Sequence, residues 1–254
     1  MAYTKGSRIL GYTRRYLPFV LVFAVVITVV RLWDWCAFGL RVHGRRHVRN
    51  APRAVLVSNH TLLFDPGVIA HAIRPRRTYF TMLEETALIP YLGTFVRLLG
   101  GVPIPEGAGS LRALDGAARS ALDELGLIHF FPEGECYDGN QDLVPFHAGA
   151  FVLALRLRVP VIPVTTVLHE RRFRGKTTVR VGGRDVHLPP RVEVVIGAPR
   201  SGPVQRGAGL RADAAAWAEE TRREMQEEID RRHGSRALFR GQMPRLVKKA
   251  PSAA

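Results

Sequence analysis

The sequence predicts an α/β fold in which a mainly parallel sheet is covered by helices on both faces, preceded by an N-terminal membrane-associated helical segment. Short apolar, β-branched runs, which are typical of buried strands, alternate along the chain with stretches of helical periodicity. The 254 residues, 46% of them hydrophobic, suffice for one sizeable core. We therefore expect one main domain at residues 46–233, a membrane-associated segment with a basic linker at 1–45, and a basic tail at 234–254.

The longest apolar run, at residues 16–30, carries the membrane prediction. As a helix it would extend about 22 Å, short of a hydrocarbon core of about 30 Å. Basic residues flank it on both sides, which suits a segment that enters one leaflet and returns. Two alternatives stay open: a single span, if Arg31 and Asp34 pair one helical turn apart, and a buried core helix. No small-x-small cleavage site follows, which argues against a signal peptide.

The charge balance calls for an anionic partner. The chain has 37 basic against 22 acidic residues, a formal net charge of +15. Such a surface suits nucleic acid or an anionic membrane leaflet, and no nucleic-acid recognition motif is present. We expect membrane lipids as partners and no nucleic acid. The two cysteines, Cys36 and Cys136, are too few for a disulfide framework and indicate a reducing location at the cytosolic face.

The elements follow in order from local patterns. Apolar runs predict strands at residues 54–57, 77–82, 102–104, 127–131 and 159–167. Helices are predicted from Asp65-Pro66 onward, where Asp is a favoured N-cap, and at 84–99 with a bend near Pro90 and Gly93, 111–125, 147–157 and 209–233. Two roughly alternating segments at 177–181 and 191–196 predict a hairpin that closes the sheet, with Gly182-Gly183 in its connection.

His60 and Asp65 are the candidate catalytic pair. They lie five residues apart on the loop between the first predicted strand and the helix that follows it. A carboxylate that binds one imidazole nitrogen stabilises the imidazolium, so the other nitrogen can take a proton from a substrate hydroxyl. The alternatives are a helix cap for Asp65 and an ordinary loop histidine for His60. No third ligand stands nearby, so we expect no metal.

Glu133 is expected to reach the same cleft. It follows the strand predicted at 127–131, and parallel sheets place their sites at the carboxyl ends of strands. Pro132 and Gly134 on either side of it favour a tight turn with close backbone approach to a ligand. The alternative is an ordinary turn carboxylate.

Three sequence blocks resemble the glycerolipid acyltransferases, the lysophosphatidic acid acyltransferase family. They are the His-x4-Asp block of His60 and Asp65, the Phe-Pro-Glu-Gly block at 131–134, and the Val-Pro-x-x-Pro-Val block at 159–164. The resemblance covers about residues 50–168. It implies transfer of a fatty acyl chain from acyl-CoA or acyl carrier protein to a lipid hydroxyl, in phospholipid or membrane-lipid biosynthesis, in one step and without a bound cofactor.

The same resemblance implies roles for the site residues. His60 deprotonates the acceptor hydroxyl and Asp65 orients His60. Asn59, Glu133 and Gly134 bind the acceptor or shape the site.

The chain departs from the family pattern where the family presents arginines to the acceptor phosphate. Glu106 stands at the first such position, and Glu135 and Cys136 stand at or beside the second. Neither Glu nor Cys can bind phosphate as Arg does. Lysophosphatidic acid is the commonest acceptor in the family. Because of these departures we expect this chain to use it less well than a lyso-lipid with a cationic head group, unless Arg77, Arg97 or Arg112 replaces the missing arginines. Two other hypotheses stay open: a thioesterase with Cys136 as nucleophile, and a basic binding protein without catalysis.

Overall fold

The computed structural model describes residues 25, 28, 29, 32, 34–104, 110–203 and 209–244. The apolar run at 16–30 lies almost wholly outside these residues, and so do Glu106 and the end of the basic tail from 245 onward. Within the described part of the chain, no helix combines the length and apolar character needed to cross a membrane.

The described elements alternate between strands and helices as expected. The strands are β1 (Arg41–His43), β2 (Ala54–Ser58), β3 (Tyr79–Leu83), β4 (Gly101–Ile104), β5 (Leu127–Phe130), β6 (Tyr137–Asp138), β7 (Val161–His169), β8 (Thr178–Val181), β9 (Arg184–His187), β10 (Arg191–Ile196) and β11 (Gly241–Gln242). The α-helices are α1 (Arg45–Asn50), α2 (Asp65–Ala72), α3 (Glu84–Leu88), α4 (Leu92–Leu98), α5 (Ser110–Glu124), α6 (Gly149–Leu157) and α7 (Leu210–Arg231). The bend expected near Pro90 separates α3 from α4.

A seven-stranded sheet in the order β1-β10-β7-β2-β5-β3-β4 forms the centre of the fold. The strands β7, β2, β5, β3 and β4 are parallel to one another. The other two, β10 and β1, run in the opposite direction. The prediction of a mainly parallel sheet is confirmed. Because β2 lies between β5 and β7, the loops that follow these three strands meet at one edge of the sheet.

Helices pack on both faces of this sheet. Every residue of β2 is buried, as expected for a strand covered on two sides. Val55 and Val57 join a core cluster with buried residues of α5, α6 and α7, whereas Leu56 joins a second cluster with buried residues of α1 and α2. The central strands are thereby held rigidly, and they fix the start of the loops that carry the polar residues.

The predicted hairpin between 177–181 and 191–196 is wrong. Instead, β8 pairs with β9 in a separate two-stranded sheet, and β10 pairs with β7. Gly182 and Gly183 have φ values of +56° and +82°, which suit a two-residue turn between adjacent strands. The partner strand at 184–187 reads Arg-Asp-Val-His and is exposed throughout, so no apolar pattern marks it.

Folded elements extend beyond the predicted range 46–233 on both sides. The basic linker expected within residues 1–45 contains β1, which pairs with β10, and α1 begins at its last residue, Arg45. In β1 the flanking Arg41 and His43 are exposed and Val42 is half-buried, a pattern too short to reveal a strand. Beyond α7, Gly241–Gln242 pairs with Tyr137–Asp138. The start of the predicted basic tail thus contacts the loop after β5.

Candidate active site

The structure brings His60 and Asp65 into direct contact. His60 lies on the loop that leaves the carboxyl end of β2, and its Nδ1 is 2.9 Å from Asp65 Oδ2. The Asp65 side chain is fully buried, whereas 19% of the His60 side chain is exposed. With Nδ1–H donating to the carboxylate, Nε2 is the nitrogen that can accept a proton. In the described part of the chain, no group of three or more His, Cys, Asp or Glu side chains is arranged to hold a metal ion.

The Asp65 side chain accepts hydrogen bonds from the loop after β2 and does not cap α2. Its Oδ2 also accepts the backbone N–H groups of Thr61, at 2.7 Å, and Leu62, at 2.8 Å. The N-cap position belongs to Phe64, and no side chain makes a cap hydrogen bond there. Three N–H donors on one buried oxygen hold the loop around His60. The interpretation of Asp65 as a helix cap is therefore wrong.

Glu133 braces the backbone at His60. Its Oε1 accepts the His60 N–H at 2.8 Å, and the carboxyl is also hydrogen-bonded by the backbone of Val144. On the following peptide group, the Tyr137 N–H donates to the His60 carbonyl at 2.9 Å. Burial raises the pKa of Glu133 to about 7; the His60 N–H lowers it and the negative charge of Asp65 raises it. The loop after β5 thus contacts His60 on both sides, which fits a site-shaping role.

Gly134 is required by a tight turn. Its φ of +77° is a conformation that L side chains rarely adopt, and an added Cβ would lie 3.0 Å from the His147 ring. The turn is closed by the Gly134 N–H, which donates to the Phe131 carbonyl at 3.1 Å, and by the His147 N–H, which donates to the Pro132 carbonyl at 2.8 Å. These contacts position Glu133 so that its side chain reaches the loop that carries His60.

Phe131 and His129 form an aromatic support that the sequence analysis missed. The Phe131 ring stacks on the His60 imidazole, with centroids 4.0 Å apart, and meets the His129 ring edge-on at 4.5 Å. His129 is fully buried, and its Nε2 is 2.8 Å from Ser58 Oγ. Burial, aided by the proximity of His60, lowers the pKa of His129 to about 3, so this ring is neutral near pH 7. Phe131 could have been found from its place in the Phe-Pro-Glu-Gly block.

Asn59 shapes the site by fixing the end of β2. Its side-chain amide donates to the Thr166 carbonyl at 2.9 Å, and its side-chain oxygen accepts the Thr166 N–H at 2.8 Å. These two bonds continue the pairing of β2 with β7 by one further step. The residue before His60 is thereby fixed to the central sheet.

Cys136 lies close to the site but is unsuited to act as a nucleophile. Its pKa is raised to about 12, first by burial and then by the negative charges of nearby carboxylates, which belong to Asp65, Asp138, Glu133 and Glu135. The thiol is therefore protonated near pH 7, and a thiolate is the form that attacks. This disfavours the thioesterase hypothesis.

Of the three arginines considered as replacements, the structure accounts for the contacts of Arg97. Arg97 is buried and donates to the Ala87 carbonyl, so it supports the α3–α4 region. Glu106 and the side chain of Arg112 lie outside the described residues. Glu135 is half-buried next to Glu133. The carboxyl groups shown to contact His60 are those of Asp65, at the imidazole, and Glu133, at the backbone N–H.

Comparisons with known proteins identify the family of the chain. Residues 39–167 match the family model described as Acyltransferase. Over 133 residues the chain is 32% identical to the human 1-acyl-sn-glycerol-3-phosphate acyltransferase beta, an alignment that covers 50% of this chain and 46% of that protein. Over 131 residues it is 29% identical to the 1-acyl-sn-glycerol-3-phosphate acyltransferase of Haemophilus influenzae, covering 50% and 54%. The chain spans about half the length of the curated relatives it matches.

A solved structure shares the fold. The 1-acyl-sn-glycerophosphate (LPA) acyltransferase PlsC from Thermotoga maritima superimposes with a TM-score of 0.57 at 20% identity, covering 87% of this chain and 90% of that one. The family match includes His60, Asp65 and Glu133, and it extends over half of the chain. The chain belongs to the acyltransferase family.

Proposed function

We propose that this protein transfers a fatty acyl chain from acyl-CoA or acyl carrier protein to the hydroxyl group of a lipid. The observation that carries the proposal is the 2.9 Å contact between His60 Nδ1 and the fully buried Asp65 carboxylate. The names of the curated relatives, which act on 1-acyl-sn-glycerol-3-phosphate, support the reaction class. No resident cofactor is needed, because the thioester donor carries the energy for the transfer.

The transfer takes place in one displacement on the thioester. His60 Nε2 removes the proton of the acceptor hydroxyl as its oxygen attacks the thioester carbonyl carbon. Asp65 stabilises the imidazolium that results. The tetrahedral intermediate collapses, the C–S bond breaks, and the thiolate takes the proton from His60. An ester and a free thiol are the products, and no acyl group becomes bound to the protein.

The acceptor is a lyso-lipid drawn from a membrane leaflet. The apolar run at 16–30 supports a location of the site at a membrane leaflet, where both the acyl chain and the acceptor are concentrated. Glu135 stands next to Cys136, the position at which the family presents an arginine to the acceptor phosphate, and a carboxylate there repels a phosphate monoester. A head group with a positive charge is therefore preferred over a phosphate monoester.

Labelled acyl-CoA and a panel of lyso-lipids test the proposal, with products identified by mass. His60→Ala should lower the rate of acyl transfer by about 10² to 10⁴, the contribution expected of a general base. His187→Ala, which removes an exposed histidine from β9, is the matched control and should keep the wild-type rate. Wild-type turnover in His60→Ala would contradict the mechanism, and the absence of transfer to every acceptor would contradict the function.

The same panel tests the acceptor. The proposal expects a lyso-lipid with an amino head group to be used in preference to lysophosphatidic acid when both compete for the enzyme. A wild-type preference for lysophosphatidic acid would contradict this part and leave acyl transfer itself intact.

A further inference from the structure

An arginine-lined cleft lies at the same edge of the sheet as His60. It has a volume of about 630 Å³, on the scale of small-molecule sites. Three apolar side chains and four arginines contribute to its walls. The lining residues are Gly39, Arg41, Arg171, Arg172, Phe173, Val179, Leu188 and Arg191, and we call this site the arginine cleft.

The charge of the arginine cleft is poorly neutralised by the protein. Arg172 forms an ion pair with Glu170, 2.9 Å between Nη2 and Oε2. Within the described residues, the side chains of Arg41, Arg171 and Arg191 form no ion pair or hydrogen bond. Guanidinium groups that face one concave surface repel each other, and an anion bound between them removes this repulsion. The planar fork of arginine is the preferred partner of phosphate oxygens.

The apolar wall of the cleft offers a surface for a ring. Phe173 is 57% exposed and pairs with Lys176 across a two-residue turn, in which Arg174 and Gly175 have φ values of +50° and +79°. This turn holds the Phe173 ring at the cleft beside Val179. An aromatic side chain exposed next to arginines suits a nucleobase joined to phosphates.

Strand registers fix the distance from the arginine cleft to His60. Arg191 of β10 lies opposite His169, the last residue of β7, and Arg41 of β1 pairs with Glu193. Strands are about 4.8 Å apart with a rise of about 3.3 Å per residue, so the backbones of Arg41 and Arg191 lie about 15 Å from that of His60. The phosphate of a small acceptor is joined by only a few bonds to its reacting hydroxyl, whereas this separation suits a longer molecule. In acyl-CoA, the extended pantetheine arm separates the thioester from the phosphates.

We propose that the arginine cleft binds the phosphates and adenine ring at the nucleotide end of an acyl-CoA donor, with the pantetheine arm running along the sheet edge to His60. This inference rests on the proposed function and selects acyl-CoA over acyl carrier protein. It also explains how the chain can recognise an anionic donor while the carboxyl groups of Asp65 and Glu133 contact its catalytic histidine.

Binding of free CoA, which cannot turn over, tests the inference by titration calorimetry at low salt. The cleft variant is Arg41→Gln/Arg191→Gln, in which both arginines are exposed. The control variant is Arg180→Gln/Arg184→Gln, which removes the same charge from exposed positions of the neighbouring hairpin outside the cleft lining. Removal of charge-assisted hydrogen bonds should weaken CoA binding about tenfold per arginine, thus about 100-fold in the cleft variant. The control variant should bind CoA as the wild type does.

Two further measurements separate phosphate recognition from other causes. Dephospho-CoA should bind the wild type more weakly than CoA does, and the cleft variant should no longer distinguish the two. In turnover, the cleft variant should show a raised KM for acyl-CoA with kcat retained.

Equal CoA affinity in the wild type and both variants would overturn the inference. Loss of binding to anionic phospholipid vesicles, with CoA affinity unchanged, would overturn it as well and assign the cleft to lipid head groups. CoA binding in the cleft without acyl transfer to any acceptor would refute the proposed function and leave the cleft assignment standing.

Discussion

Replacing Glu133 by glutamine should change the pH dependence of stability in a defined direction. Burial is the largest influence on this carboxyl, and its pKa is about 7 instead of the ordinary 4.5. Between these two pH values the folded protein holds a proton that the unfolded chain has released. The contribution of Glu133 to stability is therefore fully present below about pH 4.5 and is lost as the pH rises to about 7.

The size of the effect follows from the same two values. The difference between 4.5 and about 7 corresponds to ~3 kcal/mol in the free energy of unfolding. Glutamine has nearly the shape of the protonated carboxyl and does not titrate, and its side-chain oxygen can still accept the His60 N–H. The free energy of unfolding of Glu133→Gln minus that of the wild type should therefore rise by ~3 kcal/mol as the pH increases from about 4.5 to about 7.5.

Urea unfolding of both proteins at several pH values across this range measures the difference directly. Other titrating groups are common to the two proteins and cancel in the comparison. Glu227→Gln, which removes a charge from an exposed position of α7, controls for the change in net charge. A stability difference between wild type and Glu133→Gln that stays constant with pH would refute the argument from burial.

Three other outcomes follow from the site. Asp65→Asn should lower the rate of acyl transfer by about 10² to 10⁴, because an amide cannot stabilise the imidazolium of His60, and a near-normal rate would contradict the pairing. Cys136→Ser should remain active in the same assay, since a thiol with a pKa of about 12 is protonated; a folded but inactive variant would restore the nucleophile hypothesis. Deletion of residues 1–33 should release the protein from vesicles more fully than 1 M salt does, as measured by flotation, because burial of the apolar run at 16–30 outweighs screened surface charge. Complete release of the full-length protein by salt would contradict the anchor.

The central sheet was predictable because its strands are marked by local composition. Each parallel strand is covered on both faces and is therefore a short apolar run, which the sequence displays without reference to any other part of the chain. The edge strand β1 and the exposed β9 carry no such mark. Their places depend on partners: β10 lies about 150 residues beyond β1 in the chain, and β8 is brought against β9 by the two glycines between them.

The contacts of the candidate site also differ in whether the sequence reveals them. His60 and Asp65 are five residues apart, so their contact is a property of one loop and can be inferred from spacing. The bond from the His60 N–H to Glu133 and the stacking of Phe131 connect segments about 70 residues apart. The arginine cleft draws on three segments between residues 39 and 191. Side chains that meet only after the sheet has formed leave no signal in their spacing.

The two carboxyl groups beside His60 have different environments, and the difference matters for a base. Asp65 Oδ2 accepts three N–H groups, one of them from the His60 ring. Glu133 is buried with fewer donors, and Asp65 raises its pKa further. A second full negative charge beside the imidazole would favour the imidazolium, which cannot accept a proton from a hydroxyl. Because burial retains a proton on Glu133 up to about pH 7, this residue can hold the His60 backbone without adding that charge. In this arrangement Asp65 supports the His60 ring electrostatically, and Glu133 fixes the position of the His60 backbone.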